Sequence, residues 1–378
     1  MRILYFSQPF YPFQYGGSER IFFSIAKEMA KKHECLVIAQ RIKGLKDREK
    51  IEGIEIRRVG LPLSSYSSTF SNSFLVDFSY FLEATLIGLK EGRNFDLIHS
   101  NPFMGSLSAK LVSFLLRKKH IITIHDVFLQ DKNYKNISTI KQKIGKILES
   151  FLLSSKFIHT PSETTKKDII KATKRMKNKR IFVIPNGIEI KNYKVKKKEN
   201  FGVFIGRLVF YKNVDFLIRV MRIVAKKQKN FKLIIIGSGP EEKKLKNLAK
   251  SYGLEERISF EGNISEEEKI EKLAKSKLFL FPSSIEGFGI SVLEAMASGN
   301  VAIVNNVEPL NKLVKKDFGF CLSLKENEWA NCILRVLKDE ELRRKLAKNA
   351  LKEARNYDIK EICRELEKVY REVLEGNQ

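Results

Sequence analysis

Residues Leu278–Gly299 read LFLFPSSIEGFGISVLEAMASG. The run LFLFPS has the continuous apolar character of a strand buried on both faces, and a helix opens near Ile290. Between them lie Glu286 and the turn Gly287-Phe288-Gly289. Glycines before a helix N-terminus let backbone N–H groups approach an anion closely, and the helix dipole favours phosphate there. Glu294, one turn into the helix, is placed to accept two hydrogen bonds from a vicinal diol such as that of ribose. Glu286, on the loop, reaches toward a group beyond the phosphates. An ordinary strand–turn–helix with surface glutamates has the same spacing, so these residues alone leave both readings open.

The same alternation runs outward in both directions. RILYF, CLVIA, IEIRRV, FDLIHS, HIITIH, KFIHTP and RIFVIP read as strands in the first half, and FGVFIGRL, KLIIIGSG, RISFEG and VAIVNN join LFLFPS in the second. Arg20–Lys31, Leu107–Arg117, Glu241–Tyr252 and Leu293–Ser298 read as helices between them. Strands of this kind alternating with helices imply parallel sheets covered on both faces. The pattern occurs twice, separated by the polar, lysine-dense IEIKNYKVKKKEN. A chain of 378 residues is too long for one ordinary core and suits two domains. The expected organisation is an N-terminal domain over 1–190, a linker at 188–200 and a C-terminal domain over 198–357. These are two facing Rossmann-like domains with an interdomain cleft at the carboxyl ends of their strands. The helix at about 360–378 is expected to pack back onto the N-terminal domain.

Composition excludes several classes. A hydrophobic content of 43% with 9 prolines describes a folded globular chain. Cys35, Cys321, Cys332 and Cys363 are scattered, so neither a metal site nor a disulfide framework is expected, and a reducing cytoplasm fits. The apolar run Ile3–Phe6 is too short for a signal peptide, and Phe70–Leu89 is interrupted by Asp77 and Glu83 and does not read as a membrane span. The net charge is +26 and uneven: residues 1–198 carry 37 Lys/Arg against 17 Asp/Glu. That excess favours a polyanion, whether nucleic acid, phosphorylated substrate or anionic membrane, unless it is solvated surface in a lysine-rich proteome.

Glu-Gly-Phe-Gly followed by Leu-Glu-Ala-Met-Ala, with seven residues between the two glutamates, closely resembles the signature of retaining GT-B glycosyltransferases of glycosyltransferase family 4. Other matches fall in order. GGSER (Gly16–Arg20) resembles the family's first glycine loop, TIHD (Thr123–Asp126) its strand-end histidine segment, and VIPNGI (Val183–Ile188) its interdomain Pro-Asn-Gly. GRLVFYKN (Gly206–Asn213) and IIGSGP (Ile235–Pro240) resemble its Gly-Arg-Leu…Lys segment and Gly-x-Gly-Pro turn. The resemblance covers Arg2 to about Val314.

The resemblance implies a GT-B fold and transfer of a sugar from a UDP- or GDP-sugar to a glycan or lipid-linked acceptor with retention. Arg207 and Lys212 would then bind the donor diphosphate, replacing a divalent metal, so neither metal nor further cofactor is expected. Glu294 would bind the ribose hydroxyls, and Glu286 and His125 would stand near the transferred sugar. Gly16, Gly17, Gly206, Gly237, Gly287, Phe288, Gly289 and Ile290 would line the donor, with Glu19, Tyr15 and Asp126 on the acceptor side. Apart from the family, His125 reads equally as a satisfied core histidine, and Glu19 as a complement to a helix dipole. One departure concerns the segment VNNVEPLNKLV: Glu308-Pro309 stands near the family's Gly-Gly and Lys312 near a further glutamate, which leaves the donor sugar open.

The aromatic loop Pro9–Tyr15 and the stretch Tyr66–Phe81 read either as packing or as contacts to a sugar face or lipid chain. Lys166–Arg180 reads as a basic helix with apolar Ile169, Ile170, Ala172 and Met176, and with Lys191–Lys198 it suits an anionic membrane on the cytoplasmic side. Competing readings are a non-hydrolysing epimerase of the same architecture and a basic nucleic-acid-binding protein. No recognition helix, zinc finger or aromatic RNA-binding strand is visible, and no nucleic-acid partner is expected.

Overall fold

The structure, a computed structural model, describes residues 1–8, 10–12, 16–63, 74–102, 104–127, 139–173 and 179–376. Its contacts divide the chain into one unit of Met1–Gly187 with Ile359–Gln378 and a second of Ile188–Asp358.

The first unit is built on β1 (Arg2–Ser7), β2 (Glu34–Ile42), β3 (Arg48–Ile51), β4 (Ile54–Leu63), β5 (Leu97–Ser100), β6 (Lys119–Thr123), β7 (Phe157–Thr160) and β8 (Arg180–Val183). Their order across the sheet is β3-β4-β2-β1-β5-β6-β7-β8, parallel except for the β3–β4 pair. Ile3, Leu4, Tyr5 and Phe6 of β1 are wholly buried, as a central strand covered on both faces requires. Strand β3 escapes a sequence reading because REKI is charged and sits at the sheet edge, where only one ladder is formed. Helices α1 (Gly17–Met29), α2 (Phe74–Glu91), α3 (Met104–Leu116), α4 (Thr139–Leu153) and α5 (Glu163–Ala172) accompany these strands.

Helix α5 is shorter than the Lys166–Arg180 helix expected from the sequence. Ser162 caps its start by accepting from Thr165 N at 3.1 Å, and Thr173 is already extended. Ile169 is fully buried against Ile122 and Ile158 and Ala172 packs beside it, so these residues belong to the domain core, while Ile170 is exposed. Met176 lies outside the described residues.

The second unit contains β9 (Glu199–Ile205), β10 (Lys232–Ile236), β11 (Ile258–Gly262), β12 (Ser276–Phe281), β13 (Val301–Asn305) and β14 (Gly319–Leu322), in the order β11-β10-β9-β12-β13-β14. All pairs are parallel, and the order reverses between β9 and β12. Such a switch point is where doubly wound sheets bind ligands. Helices α6 (Val214–Lys227), α7 (Glu242–Ser251), α8 (Glu266–Lys275), α9 (Ile290–Ala297), α10 (Leu310–Leu313), α11 (Glu326–Lys338) and α12 (Glu340–Ala354) complete the unit. The four-residue β14 is too short to stand out in the sequence.

The segment Ile188–Asn200, which reads as a polar linker, packs within the second unit. Ile188 N donates to Tyr357 O at 3.0 Å, and Tyr193 donates to Glu294. Helix α13 (Ile359–Glu375) returns to the first unit and buries Ile362, Leu366, Tyr370 and Val373 along one face. Tyr370 Oη lies 2.6 Å from His99 Nδ1, and the chain of contacts continues through Thr123 to His159.

Candidate functional site

In the second unit the glycine loops leave the carboxyl ends of neighbouring parallel strands: Gly206 after β9, Gly237 after β10 and the Ser283–Gly289 segment after β12. Gly206 N donates to Ile236 O, and Leu208 N to Ser238 O. A Cβ at Gly237 would stand 2.1 Å from Gly206 O, and Gly237 has a φ of +124°. Both facts demand glycine, because two backbones touch there and the conformation disfavours an L side chain.

The next turn carries the cations. Phe210–Lys212 form a single 3-10 turn that ends at Asn213, whose Nδ2 donates to Pro282 O at 2.9 Å and Ser284 Oγ at 2.6 Å. Ser284 N donates to Tyr211 O at 2.8 Å. These bonds hold the β9 loop against the β12 loop and bring Lys212 onto Glu286 in an ion pair, each side chain only 12% exposed. The Lys212 ammonium also lies 5.1 Å from the centre of the Phe281 ring. Arg207 is exposed and its Nη2 donates to Tyr211 Oη at 2.9 Å. Arg207 and Lys212 on the β9 loop and Glu286, distant in sequence on the β12 loop, are therefore linked through Tyr211 and the two loops.

Helix α9 starts from Gly289, which has a φ of +99° and whose Cβ would meet Leu310 at 2.8 Å. The departing segment thus packs directly on the glycine turn, and Lys312 pairs with Glu308 at 3.8 Å. Phe288 is buried in the apolar core near Tyr357, so what residues 287–289 offer a ligand is backbone. Ile290, first in the helix, is half-buried. Glu294 is nearly wholly buried; its Oε1 accepts from Lys269 Nζ and from Tyr193 Oη, both at 2.9 Å. Lys269 and Tyr193 were not singled out in the sequence: one sits in a run of charged helix residues and the other in the lysine-dense segment, where neither has a distinguishing pattern.

In the first unit Gly16 caps α1, and Gly17 is its first residue. Glu19 stands in the first turn; its Oε2 is buried, without a hydrogen-bond partner among the described residues, and 3.1 Å from where a Gly16 Cβ would be. A buried carboxylate oxygen left unmatched is costly unless a donor arrives from a ligand. His125 follows β6, and its Nε2 is 3.0 Å from Asn101 Oδ1 at the end of β5. Burial, reinforced by the neighbouring His159, pushes His125 down to about 3, so at neutral pH it is an uncharged hydrogen-bonding group. Asp126 beside it is exposed. Tyr15, and with it part of the aromatic loop, lies outside the described residues, as do residues 64–73. Among the described residues no cluster of three or more His, Cys, Asp or Glu is arranged to hold a metal ion. No helix among them is long and apolar enough to cross a membrane.

Two family models match consecutive parts of the chain: Glycosyltransferase Family 4 over residues 15–192, and Glycosyl transferases group 1 over 186–353. The Staphylococcus aureus capsular polysaccharide biosynthesis glycosyltransferase CapH is 28% identical over 293 residues, covering 75% of this chain and 79% of its own. The fold is similar to that of sucrose-phosphate synthase from Thermosynechococcus elongatus, with a TM-score of 0.83, 20% identity and coverage of 100% of both chains. It is also similar to Anabaena HepE solved with UDP-glucose, with a TM-score of 0.77 and 20% identity over 98% of this chain and 99% of that one. The two Rossmann-like α/β units are those of the GT-B fold.

Proposed function

We propose, on the premise that this chain is a glycosyltransferase of the GT-B type, that it transfers a hexose from a nucleotide diphosphate sugar to an acceptor hydroxyl with retention of anomeric configuration. The observation that carries this reading is the convergence of Arg207 and Lys212 with Glu286 at the glycine turn that opens α9. UDP-hexoses are the first donors to test, since the similar HepE was solved with UDP-glucose. The acceptor is a glycan or a lipid-linked sugar.

In the proposed reaction the bond between the anomeric carbon and the diphosphate oxygen breaks, and the diphosphate leaves with the electron pair. Negative charge grows on that oxygen in the transition state, where fixed cations in a site of low dielectric stabilise it most. Arg207 and Lys212 supply those cations, together with backbone N–H groups at the start of α9. Lys212 is held by Glu286 in the free protein and is released to phosphate when the carboxylate turns to the sugar hydroxyls. Glu294, oriented by Lys269 and Tyr193, accepts from the ribose diol. No protein group is assigned as a covalent nucleophile. The acceptor oxygen attacks from the face the diphosphate leaves, and a donor phosphate oxygen takes its proton, which gives retention. Neutral His125 donates or accepts a hydrogen bond near the donor sugar, and Glu19 receives a donor from the acceptor side. With charge matched by these cations, the reaction is expected to need no divalent metal and to survive chelation with EDTA.

The test begins with thermal shift against UDP-, GDP- and ADP-sugars, since a ligand that binds only the folded state raises its stability. The stabilising donor is then incubated with capsule-type and lipid-linked glycan acceptors, and the product anomer is read by NMR. A product of inverted configuration would overturn the front-face route. Interconversion of the donor sugar without any acceptor would assign the protein to the epimerases instead.

A further inference from the structure

Helix α2 is apolar on two opposite sides. Tyr80, Ala84 and Gly88, four residues apart, face the sheet and are buried; a Cβ on Gly88 would meet Phe6 at 2.7 Å and Val112 at 2.8 Å. Phe78, Leu82 and Leu86 repeat at the same spacing two residues out of phase. At 3.6 residues per turn they stand about 200° away. All three are exposed, Leu86 at 66%. A helix apolar on both sides is the mark of a buried helix, and here only one side is buried.

The apolar surface continues onto neighbouring helices. Helix α3 packs on α2 and α4 on α3. Phe114 of α3 is 78% exposed, Ile147 of α4 is 68% exposed, and Phe151 lies one turn further along α4. Single exposed apolar residues are ordinary, but three adjacent helices that each turn large ones outward form a surface built for a partner.

Charge identifies that partner. The acids of α2 are engaged away from this face: Asp77 accepts from Gln8 at 2.6 Å, Glu83 from Gly60 N at 2.6 Å, and Glu91 pairs with Arg57. Among the described residues the exposed charges on and beside the three helices are chiefly cationic, with Lys90 in the last turn of α2, Arg93 and Arg117 following α2 and α3, and Lys143 and Lys146 on α4. Lys110 Nζ sits 4.1 Å from the centre of the Phe151 ring, so cation and aromatic share the surface. A second copy would bring like cationic rims together, at an electrostatic cost. A bilayer with anionic headgroups meets both parts at once, with acyl chains for the aromatic and aliphatic residues and headgroup charge for the lysines. The helix lies in the interface and does not span it, since Asp77, Glu83 and Glu91 interrupt its length.

We infer that the outer faces of α2, α3 and α4 form a docking surface for an anionic phospholipid membrane. This inference stands apart from the donor chemistry. It also places the membrane contact away from Lys166–Lys198, where Ile169 of α5 is taken up in the core and Ile170 alone of its isoleucines is exposed.

The test is sedimentation of the full chain with large vesicles of phosphatidylcholine, with and without phosphatidylglycerol, at low and high salt. The protein pellets with the anionic vesicles, less so at high salt. The combined variant Leu86→Glu, Phe114→Glu, Ile147→Glu loses roughly tenfold or more in partitioning, since charge is driven into the acyl boundary. Its thermal shift with UDP-glucose stays as in the parent, which separates lost docking from lost folding or a failed donor assignment. Lys191→Glu with Lys197→Glu, in the basic segment, leaves partitioning within about twofold if the lysines there are peripheral to the contact. Phe114→Trp adds a tryptophan far in sequence from the single native Trp329, and its emission shifts to the blue on anionic vesicles. A parent that stays in the supernatant, a triple variant that pellets unchanged, or loss confined to the Lys191/Lys197 variant would each overturn the inference. So would a dimeric parent that the triple substitution renders monomeric.

Discussion

Lys269 Nζ lies 2.9 Å from Glu294 Oε1, and both side chains are almost completely withdrawn from solvent. Tyr193 from the segment after the first unit donates to the same carboxylate oxygen. Helix α8, helix α9 and the entry to the second unit thus meet at one buried charge.

Replacing Lys269 by Met leaves that carboxylate buried without its cation. Breaking one side of a buried pair costs about 3 kcal/mol or more, whereas replacing both sides by apolar residues is often nearly neutral. Urea unfolding is therefore expected to show a large loss for Lys269→Met and a much smaller one for Lys269→Met with Glu294→Leu. The double variant should still bind UDP-glucose poorly, because the proposed ribose acceptor is gone. Recovered stability together with recovered donor binding would remove Glu294 from the site.

Lys212 and Arg207 differ in burial, and their substitutions should differ accordingly. Lys212→Met removes a nearly buried cation, the one proposed to face the leaving diphosphate, and is expected to lower kcat by about 100-fold or more. Arg207→Met removes an exposed, solvent-screened one and should cost closer to about tenfold. Steady-state kinetics with the preferred donor measures both, with thermal melting as the control for folding. Equal, small effects would place the diphosphate elsewhere.

Gly237→Ala introduces a Cβ where the Gly206 carbonyl already stands, at a backbone φ of +124°. Overpacking of backbone on backbone has no flexible side chain to yield, so a loss of about 2 kcal/mol or more is expected together with weakened donor binding. Gly253→Ala, at a φ of +63° with open space around it, carries the conformational strain without the clash and serves as the control. Similar losses for the two would show that conformation, not contact between the loops, sets the requirement.

The buried histidines predict an acid-sensitive fold. Burial pushes His120 down to about 3 and His159 to about 4, and His99 well below its ordinary value. Unfolded, each titrates near pH 6.5, so as pH falls below that value the unfolded chain binds protons that the folded chain refuses. Stability is then fully present above about pH 6.5 and declines toward pH 4, by up to about 1.4 kcal/mol per pH unit for each histidine. Urea midpoints between pH 7 and pH 5 read this directly, above the range in which most carboxylates titrate. A flat profile across that window would contradict it.

Much of the site is visible in sequence because backbone chemistry has a local signature. The strand–glycine–helix order at Gly237 and Gly289 is written in adjacent residues, since a positive φ leaves glycine few substitutes. Lys269, Tyr193 and Asn101 have no such mark. Each is an ordinary polar residue until folding sets it against Glu294 or His125. The basic helix shows the same limit: Ile169 and Ile170 are adjacent among lysines in the sequence, and only the fold decides that Ile169 enters the core while Ile170 stays exposed.

What the sequence alone determined is the repeated parallel α/β plan and the positions of its glycine turns, because apolar runs and backbone constraints act between near neighbours. The pairing of Lys212 with Glu286, and of Lys269 with Glu294, was decided only by tertiary structure. So was the fate of Phe78, Leu82 and Leu86, which face outward in the fold. A side chain's partner depends on which distant strand or helix arrives beside it, and that is set by long-range packing, not by spacing along the chain.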